Sequence, residues 1–324
     1  MTTEPRFHSL HDIDPAALAA EAAAGLREAQ ARIAPKFLYD ALGSRLFDAI
    51  TELPSYYPTR TERAILDRFE AAIADAVLSR TGPAPVMIDL GAGSGEKAAR
   101  LFASIRPRRY VAVDISVDYL RASLRALQRA HPAIEMVGVG QDFSQRLQLP
   151  TDATAPHALV FYPGSSIGNF APDAALRLLR DMREAAGGGA LLIGVDLVKS
   201  TAVLHAAYDD DLGVTAAFNR NVLLRVNCLL GADFAPCDWR HVASFDARAS
   251  RVQMHLEACR DVQVRWRGGE RAFRAGERIH TEDSYKWTRD GFAALLRDAG
   301  FGRVRHWTDA QDWFAVFVAD ATDA

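Results

Sequence analysis

The chain has 324 residues, 49% of them hydrophobic, and a formal net charge of -3. That length can bury one large or two ordinary cores, and charges of both signs are interspersed, which gives no electrostatic case for nucleic acid. Met1 to Leu10 lacks an apolar run behind basic residues and no later window approaches a membrane span, so a cytoplasmic protein that does not enter membranes is expected.

In chain order, His8-x-x-His11-Asp12 is the one local histidine cluster and reads as surface histidines near a helix start. Asp14 is placed to cap, and Pro15 to open, an alanine-rich helix running to about Ala31. Thr59 and Glu62 have capping-box spacing, which predicts a helix from near Arg60 to about Leu78. Tyr39, Tyr56 and Tyr57 are read either as core aromatics with wetted hydroxyls or as site residues, and spacing does not choose between the two.

Val86 to Leu90 then reads as a buried strand, Gly91-Ala92-Gly93-Ser94-Gly95 as a tight turn, and Lys97 onward as an amphipathic helix. This is how an open α/β sheet begins, with backbone N–H groups and a helix N-terminus facing a ligand. Glu96 stands where a phosphate-cradling loop and a dinucleotide fingerprint would each carry glycine. A carboxylate there repels a pyrophosphate but tolerates a ligand that is cationic or lacks phosphate. The next strand ends at Asp114, where a carboxylate can accept both hydroxyls of a ribose.

The βα pattern continues with strands at 109–115, 134–140, 157–162 and 189–195 and helices near 117–130 and 172–186. Asp142-Phe143 follows the third strand, where a carboxylate and an aromatic can flank an adenine. Gly164 and Asn169 follow the fourth, and ligands gather at the carboxyl ends of parallel strands, so both should face the same crevice as Gly91 and Asp114. A turn or helix-capping role is the other reading of Asn169. From about Val198 to Trp287 the alternation stops, with β-like segments at 250–258 and 261–266 and a Gly268-Gly269 hairpin. This insertion reads as a smaller α+β unit packed with the N-terminal segment as a lid over the ligand edge. The α/β register resumes at Thr288, with Gly300 closing a helix and strands at 301–306 and 313–319. Cys228, Cys237 and Cys259 are spaced neither as a zinc knuckle nor as a redox pair, so reduced structural thiols and no metal are expected.

Asp89-x-Gly91-x-Gly93-x-Gly95 looks like motif I of the class I methyltransferases that use S-adenosylmethionine. Nearly the whole chain resembles the L-histidine Nα-methyltransferase family of ergothioneine biosynthesis. The blocks that carry the likeness are Phe37 to Phe47, Leu53-Pro54-x-Tyr56-Tyr57-Pro58-Thr59-Arg60-Thr61-Glu62, Pro163 to Phe170, Ala217-Phe218-Asn219-x-Asn221, His280 to Trp287 and Trp307-Thr308-Asp309. The resemblance implies a class I, Rossmann-like methyltransferase sheet with an inserted α+β substrate-binding domain. It places the methyl-donor domain at 61–197 plus 287–324 and the substrate domain at 1–60 plus 198–286.

It also implies trimethylation of the α-amine of L-histidine to hercynine by a monomer, with no metal. Carried over residue by residue, Gly91, Lys97, Asp114, Asp142 and Phe143 fall on S-adenosylmethionine. Tyr56, Asn169 and Tyr208 fall on the amino acid's backbone groups, Glu282 and Ser284 with Tyr39 on its imidazole, and Met254 on the pocket wall. Tyr39 and Asn169 are the candidates for orienting the amine. The chemistry agrees: Glu282 and Ser284 are two apart on an extended segment and share a face, and a carboxylate with a hydroxyl satisfies both ring nitrogens of imidazole. Rival readings are an Nα-methyltransferase for another amino acid or a tryptophan-derived amine, a catalytically idle binding module, and a nicotinamide dehydrogenase.

Overall fold

The computed structural model describes residues 4–10, 15–144 and 146–321. Its strands are β1 Arg6–Ser9, β2 Val86–Leu90, β3 Arg109–Asp114, β4 Glu135–Gly140, β5 Leu159–Tyr162, β6 Ala190–Asp196, β7 Trp239–Asp246, β8 Arg251–Ala258, β9 Val262–Trp266, β10 Gly269–Phe273, β11 Arg278–Tyr285, β12 Val304–Thr308 and β13 Phe314–Asp320. They divide between two compact units, one of Met1–His11, Pro58–Val198 and Lys286–Ala324, the other of Asp12–Tyr57 and Lys199–Tyr285.

The first unit is built on an eight-stranded sheet ordered β1-β4-β3-β2-β5-β6-β13-β12. Pairings from β1 through β6 are parallel, while β13 runs antiparallel to β6 and β12 antiparallel to β13. Strands β2, β5 and β6 are buried along their whole length, as central parallel strands covered on both faces must be. Side chains alternate between two cores. Val86, Ile88, Leu90, Val111, Val113 and Val160 pack with helices Pro172–Ala186 and Arg289–Asp298. Met87, Tyr110, Ala112, Leu159 and Phe161 pack with helices Tyr57–Thr81 and Val117–Ala130. Helices 117–130 and 172–186 have the expected bounds because each follows a clear apolar stripe and the second has Pro172 in its first turn.

The chain passes from β2 outward to β3 and β4, then crosses back to β5 on the other side of β2. The connections leaving the carboxyl ends of neighbouring β2 and β5 therefore run in opposite directions, which opens the crevice where such sheets bind ligands.

The second unit holds a three-stranded antiparallel sheet, β11-β8-β7, and the hairpin β9-β10. Helix Val214–Leu230 buries Phe218, Val222, Leu223, Val226 and Leu230 in a core shared with Trp239, Met254, Leu256, Trp266 and Phe273. The expected Gly268-Gly269 turn joins β9 to β10, with Gly268 at φ 82°.

Several expectations need correction. Residues 1–60 were assigned together to the substrate unit, but β1 pairs parallel with β4 in the large sheet. The Phe7 ring occupies the space a Cβ on Gly138 would need, a long-range fit with no local signature in a four-residue edge strand. The helix placed at Arg60 begins at Tyr57. The alanine-rich helix ends at Arg27, not near Ala31. There Arg32 N–H bonds the Gly25 carbonyl and Arg32 bridges to His280, so tertiary pairing overrides helix propensity. Asp14, His11 and Asp12, to which a helix cap and a histidine cluster were assigned, lie outside the described residues.

Candidate active site

At the carboxyl end of β2, Gly91, Gly93 and Gly95 have φ of 67°, 54° and 73°, a region side chains with a Cβ avoid. A Cβ on Gly91 or Gly93 would meet nothing within 4 Å, so the left-handed backbone explains these two glycines and leaves the turn open on that side. Gly95 is also packed: a Cβ there would lie 2.5 Å from Leu127. Asp114 closes the turn from β3, accepting hydrogen bonds from Gly93 N–H at 2.9 Å and Ser116 N–H at 2.8 Å. Burial, outweighing these bonds, raises its carboxyl above the usual range.

Asp89, beneath the turn, accepts a 2.7 Å hydrogen bond from the Tyr110 hydroxyl at one oxygen. Its other oxygen, Oδ1, is buried without a hydrogen-bond partner. Burial pushes Asp89 up to about 7, against the pull of Tyr110 and Lys97.

Lys97 donates a 2.7 Å hydrogen bond to Glu62 Oε2, and Gly164 N–H donates one of 2.7 Å to Glu62 Oε1. Glu62 is 2% exposed. The capping-box reading hid it: Glu62 lies inside helix Tyr57–Thr81 and its carboxylate ties the glycine turn's helix to the loop after β5. Gly194 on β6 lacks a Cβ because Glu62 Oε1 takes that space. No sequence spacing reports such a contact.

That loop holds Gly164 at φ 78° and ends in a 3-10 turn, Ser166–Asn169. Asn169 is half-buried. Asp142 Oδ1 accepts from Ser144 N–H at 2.9 Å, and the Phe143 ring stands edge-on to Tyr162 at 6.0 Å. The expected donor-site residues thus fall in separate hydrogen-bonded groups, Asp114 with Gly93 and Lys97 with Glu62 and Gly164, with Gly91 N–H bonded to the Val113 carbonyl, while Asp142 and Phe143 follow the neighbouring strand β4.

In the second unit, Tyr39 packs edge-on against Phe47 at 5.6 Å and Phe218 at 5.5 Å. Phe47 meets Tyr56 at 6.2 Å, and Tyr56 meets Tyr208 at 6.4 Å. Three of the expected residues are therefore linked by one array of half-buried rings. Asp40 holds the segment in place, accepting from Gly43 N–H at 2.7 Å and Asn221 Nδ2 at 2.8 Å. The structure separates the paired tyrosines. Tyr57 is core, 1% exposed, with its hydroxyl accepting from Lys199 at 2.8 Å, whereas Tyr56 joins the array.

On β11 the pairing register with β8 shifts between His280 and Glu282. Ile279 is buried before the shift, Thr281 within it, and Glu282 and Ser284 after it. The bulge turns two polar side chains inward where strict alternation would leave them out. Thr281 donates to the Met254 carbonyl at 3.0 Å, and Met254, 2% exposed, pairs opposite Glu282. Asp283 and Tyr285 take the other face, where Arg251 contacts Asp283 Oδ2 at 3.1 Å. Ser284 Oγ lies 2.8 Å from the Tyr208 hydroxyl.

His241 is a residue the sequence reading did not single out. Its Nε2 is 2.8 Å from the Tyr208 carbonyl, which only accepts, so Nε2 carries the proton. Nδ1 is then bare and accepts from Asn219 Nδ2 at 2.9 Å. Burial lowers the His241 pKa, in keeping with a neutral ring. A histidine on a half-buried strand carries no pattern that would have marked it.

A mostly parallel sheet of this strand order, with a glycine turn and a strand-end carboxylate at its switch point, defines the protein as an α/β methyltransferase of the S-adenosylmethionine-dependent class. The chain belongs to the histidine-specific, S-adenosylmethionine-dependent methyltransferase family, which matches residues 18–321. It is 39% identical to the histidine N-alpha-methyltransferase of Mycolicibacterium smegmatis over 94% of each chain. It is 37% identical to the protein of that name from Mycobacterium tuberculosis over 96% of this chain and 97% of the relative. A possible exported protein from Bordetella parapertussis shares the fold alone, with a TM-score of 0.51 at 14% identity over 96% of each chain. No described helix is long and apolar enough to cross a membrane. Among the described residues no group of three or more His, Cys, Asp or Glu side chains could hold a metal ion.

Proposed function

We propose that this protein transfers methyl groups in succession from S-adenosylmethionine to the α-amine of L-histidine, giving the trimethylated product hercynine, an intermediate of ergothioneine biosynthesis. The observation that carries the reading is a buried carboxylate and hydroxyl, Glu282 and Ser284, turned to one face of β11 in a member of the histidine-specific family. A carboxylate accepts from an imidazole N–H and a hydroxyl can donate to the other ring nitrogen, so the pair suits both sides of that ring.

The methyl donor suits the residues of the first unit. Gly91 and Gly93 leave the turn open where a side chain would fill it, Asp114 keeps acceptor capacity beyond its two amide bonds, and Glu96 disfavours a phosphate ligand. When bound, the donor supplies an electrophilic methyl carbon on a sulfonium. Gly91, Lys97, Asp114, Asp142 and Phe143 hold it. Tyr56, Tyr208 and Asn169 hold the amino acid's backbone groups, and Glu282, Ser284 and Met254 its side chain.

In each turnover a bond forms from the neutral amine nitrogen to the methyl carbon, the sulfur–carbon bond breaks, and its electron pair stays on sulfur. The amine's proton leaves to water beforehand, since an α-amine has a pKa of about 8 or above. Tyr39 and Asn169 orient the amine, and positioning supplies most of the acceleration. As methyl groups accumulate, N–H donors disappear and a permanent cation forms, which the faces of Tyr39, Tyr56 and Tyr208 attract. The protein acts as a monomer on a small molecule, in the cytoplasm.

Mass spectrometry of L-histidine incubated with protein and donor tests this directly, the expected result being stepwise gain of methyl groups to the trimethylated product. Unchanged turnover in both Tyr39→Phe and Asn169→Ala would remove the assigned amine site. Methylation of tryptophan or another amino acid in preference to histidine would replace the substrate.

A further inference from the structure

The Glu62 carboxylate contacts both the Lys97 ammonium and the loop after β5, at 2.7 Å to each. It is nearly inaccessible, 2% exposed, whereas the Lys97 side chain is 36% exposed. Gly194 is kept without a Cβ to make room for it. Lys97, Asp114 and Glu62 each act electrostatically on Asp89, so this neighbourhood sets three acids, Glu62, Asp89 and Asp114, against the Lys97 ammonium. The family reading puts the methyl donor beside Lys97. That molecule carries an α-ammonium, an α-carboxylate and a sulfonium, a net charge of +1 by its own chemistry, and its demethylated product is a neutral thioether with net zero.

We propose that Glu62 is a positioning residue for the donor with a charge-selective effect: by offsetting the Lys97 ammonium it makes the ground beside the glycine turn favour the cationic sulfonium over the thioether product. This rests on the donor site proposed above. The same carboxylate, by accepting the Gly164 N–H, fixes the plane of the Pro163–Gly164 peptide. A site that distinguishes the two molecules by charge releases spent product between successive transfers, which a reaction repeated on one amine requires.

The experiment is calorimetric titration of S-adenosylmethionine and of S-adenosylhomocysteine into the intact protein, its Glu62→Gln variant and the Glu62→Gln/Lys97→Met double variant. Glutamine keeps an oxygen for Gly164 N–H and removes only the charge, so the fold is retained. In Glu62→Gln, Lys97 becomes an unbalanced cation, and the sulfonium should lose roughly tenfold in affinity while the thioether loses no more than about threefold, as charge–charge interactions near a surface allow. Removing Lys97 as well should restore the ratio of the two affinities toward that of the unaltered protein, even if both fall. Equal losses for the two ligands would reduce Glu62 to a structural strut and overturn the charge role. No loss for either would overturn the positioning role too. Failure of the unaltered protein to bind either molecule is a different result: it would overturn the donor-site reading, and the inference with it.

Discussion

The Tyr208 hydroxyl, at the end of helix Thr201–Tyr208, lies 2.8 Å from Ser284 Oγ on β11, so two residues 76 positions apart meet as one hydrogen-bonded pair. Ser284 is buried and Tyr208 half-buried, and the pair is braced from behind, since the Tyr208 carbonyl accepts from His241 at 2.8 Å. Ser284→Ala and Tyr208→Phe should each raise KM for L-histidine about tenfold, the worth of one or two hydrogen bonds, and leave KM for the donor unchanged. The double variant should lose less than the two single losses combined, because each removes the same bond. Steady-state kinetics on the three variants checks this, and strict additivity would mean the pair does not act as a unit.

Glu282 should matter more. It is 7% exposed and follows the bulge in β11, opposite Met254. Glu282→Ala is expected to weaken L-histidine by roughly a hundredfold or more, since a site built to bond a polar ring leaves that ring unpaired once the carboxylate is gone. Calorimetric titration with the demethylated donor present measures it. A variant that binds histidine as well as the parent would dissociate Glu282 from the imidazole.

Acid should act on stability through two groups of opposite sign. Burial, with His280 nearby, brings His255 down to about 4, so between its ordinary value near 6.5 and that point the unfolded chain binds the extra proton. Its contribution is complete above pH 6.5 and is lost as pH falls toward 4. Asp89 works the other way. Its carboxyl, raised to about 7 from 3.8, makes the folded chain the better proton acceptor, so its contribution grows as pH falls through that window. Denaturant titrations from pH 7 to pH 5 should therefore show a steeper acid loss in Asp89→Asn than in the parent, and a shallower one in His255→Gln. Identical slopes in all three would exclude both assignments.

Lys286 and Asp196 form an ion pair at 2.8 Å with side chains 0% and 1% exposed. Lys286→Met leaves a carboxylate in a dry interior and should cost about 3–5 kcal/mol of unfolding free energy. Replacing both, as Lys286→Met with Asp196→Leu, should recover most of that loss, because the desolvation of two charges disappears along with their attraction. Chemical denaturation reads both.

Much of the large sheet was legible from residue order alone. Val86 to Leu90, Arg109 to Asp114 and Ala190 to Asp196 are apolar runs too short for helices and bounded by turns, and helices Val117–Ala130 and Pro172–Ala186 declare their apolar stripes. The three glycines announced a tight turn, and Asp114 lay at a strand end where a carboxylate meets a ligand. All of these follow from a local period or a steric rule, which a linear string contains in full.

Only the tertiary structure decided the rest. Glu62 sits 35 residues from Lys97 and 102 from Gly164, and nothing in its helix shows that its carboxylate serves both. That Glu282 and Ser284 share a face follows from their spacing, but the bulge after His280 decides that this face is the inward one. His241 and Asn219 earn their place through contacts 33 and 22 residues away along the chain, to the Tyr208 carbonyl and to each other. Local order can state which residues share a face. Which atoms meet across that face depends on the packing of segments far apart in the chain, because hydrogen bonds reach about 3 Å and sequence separation sets no such distance.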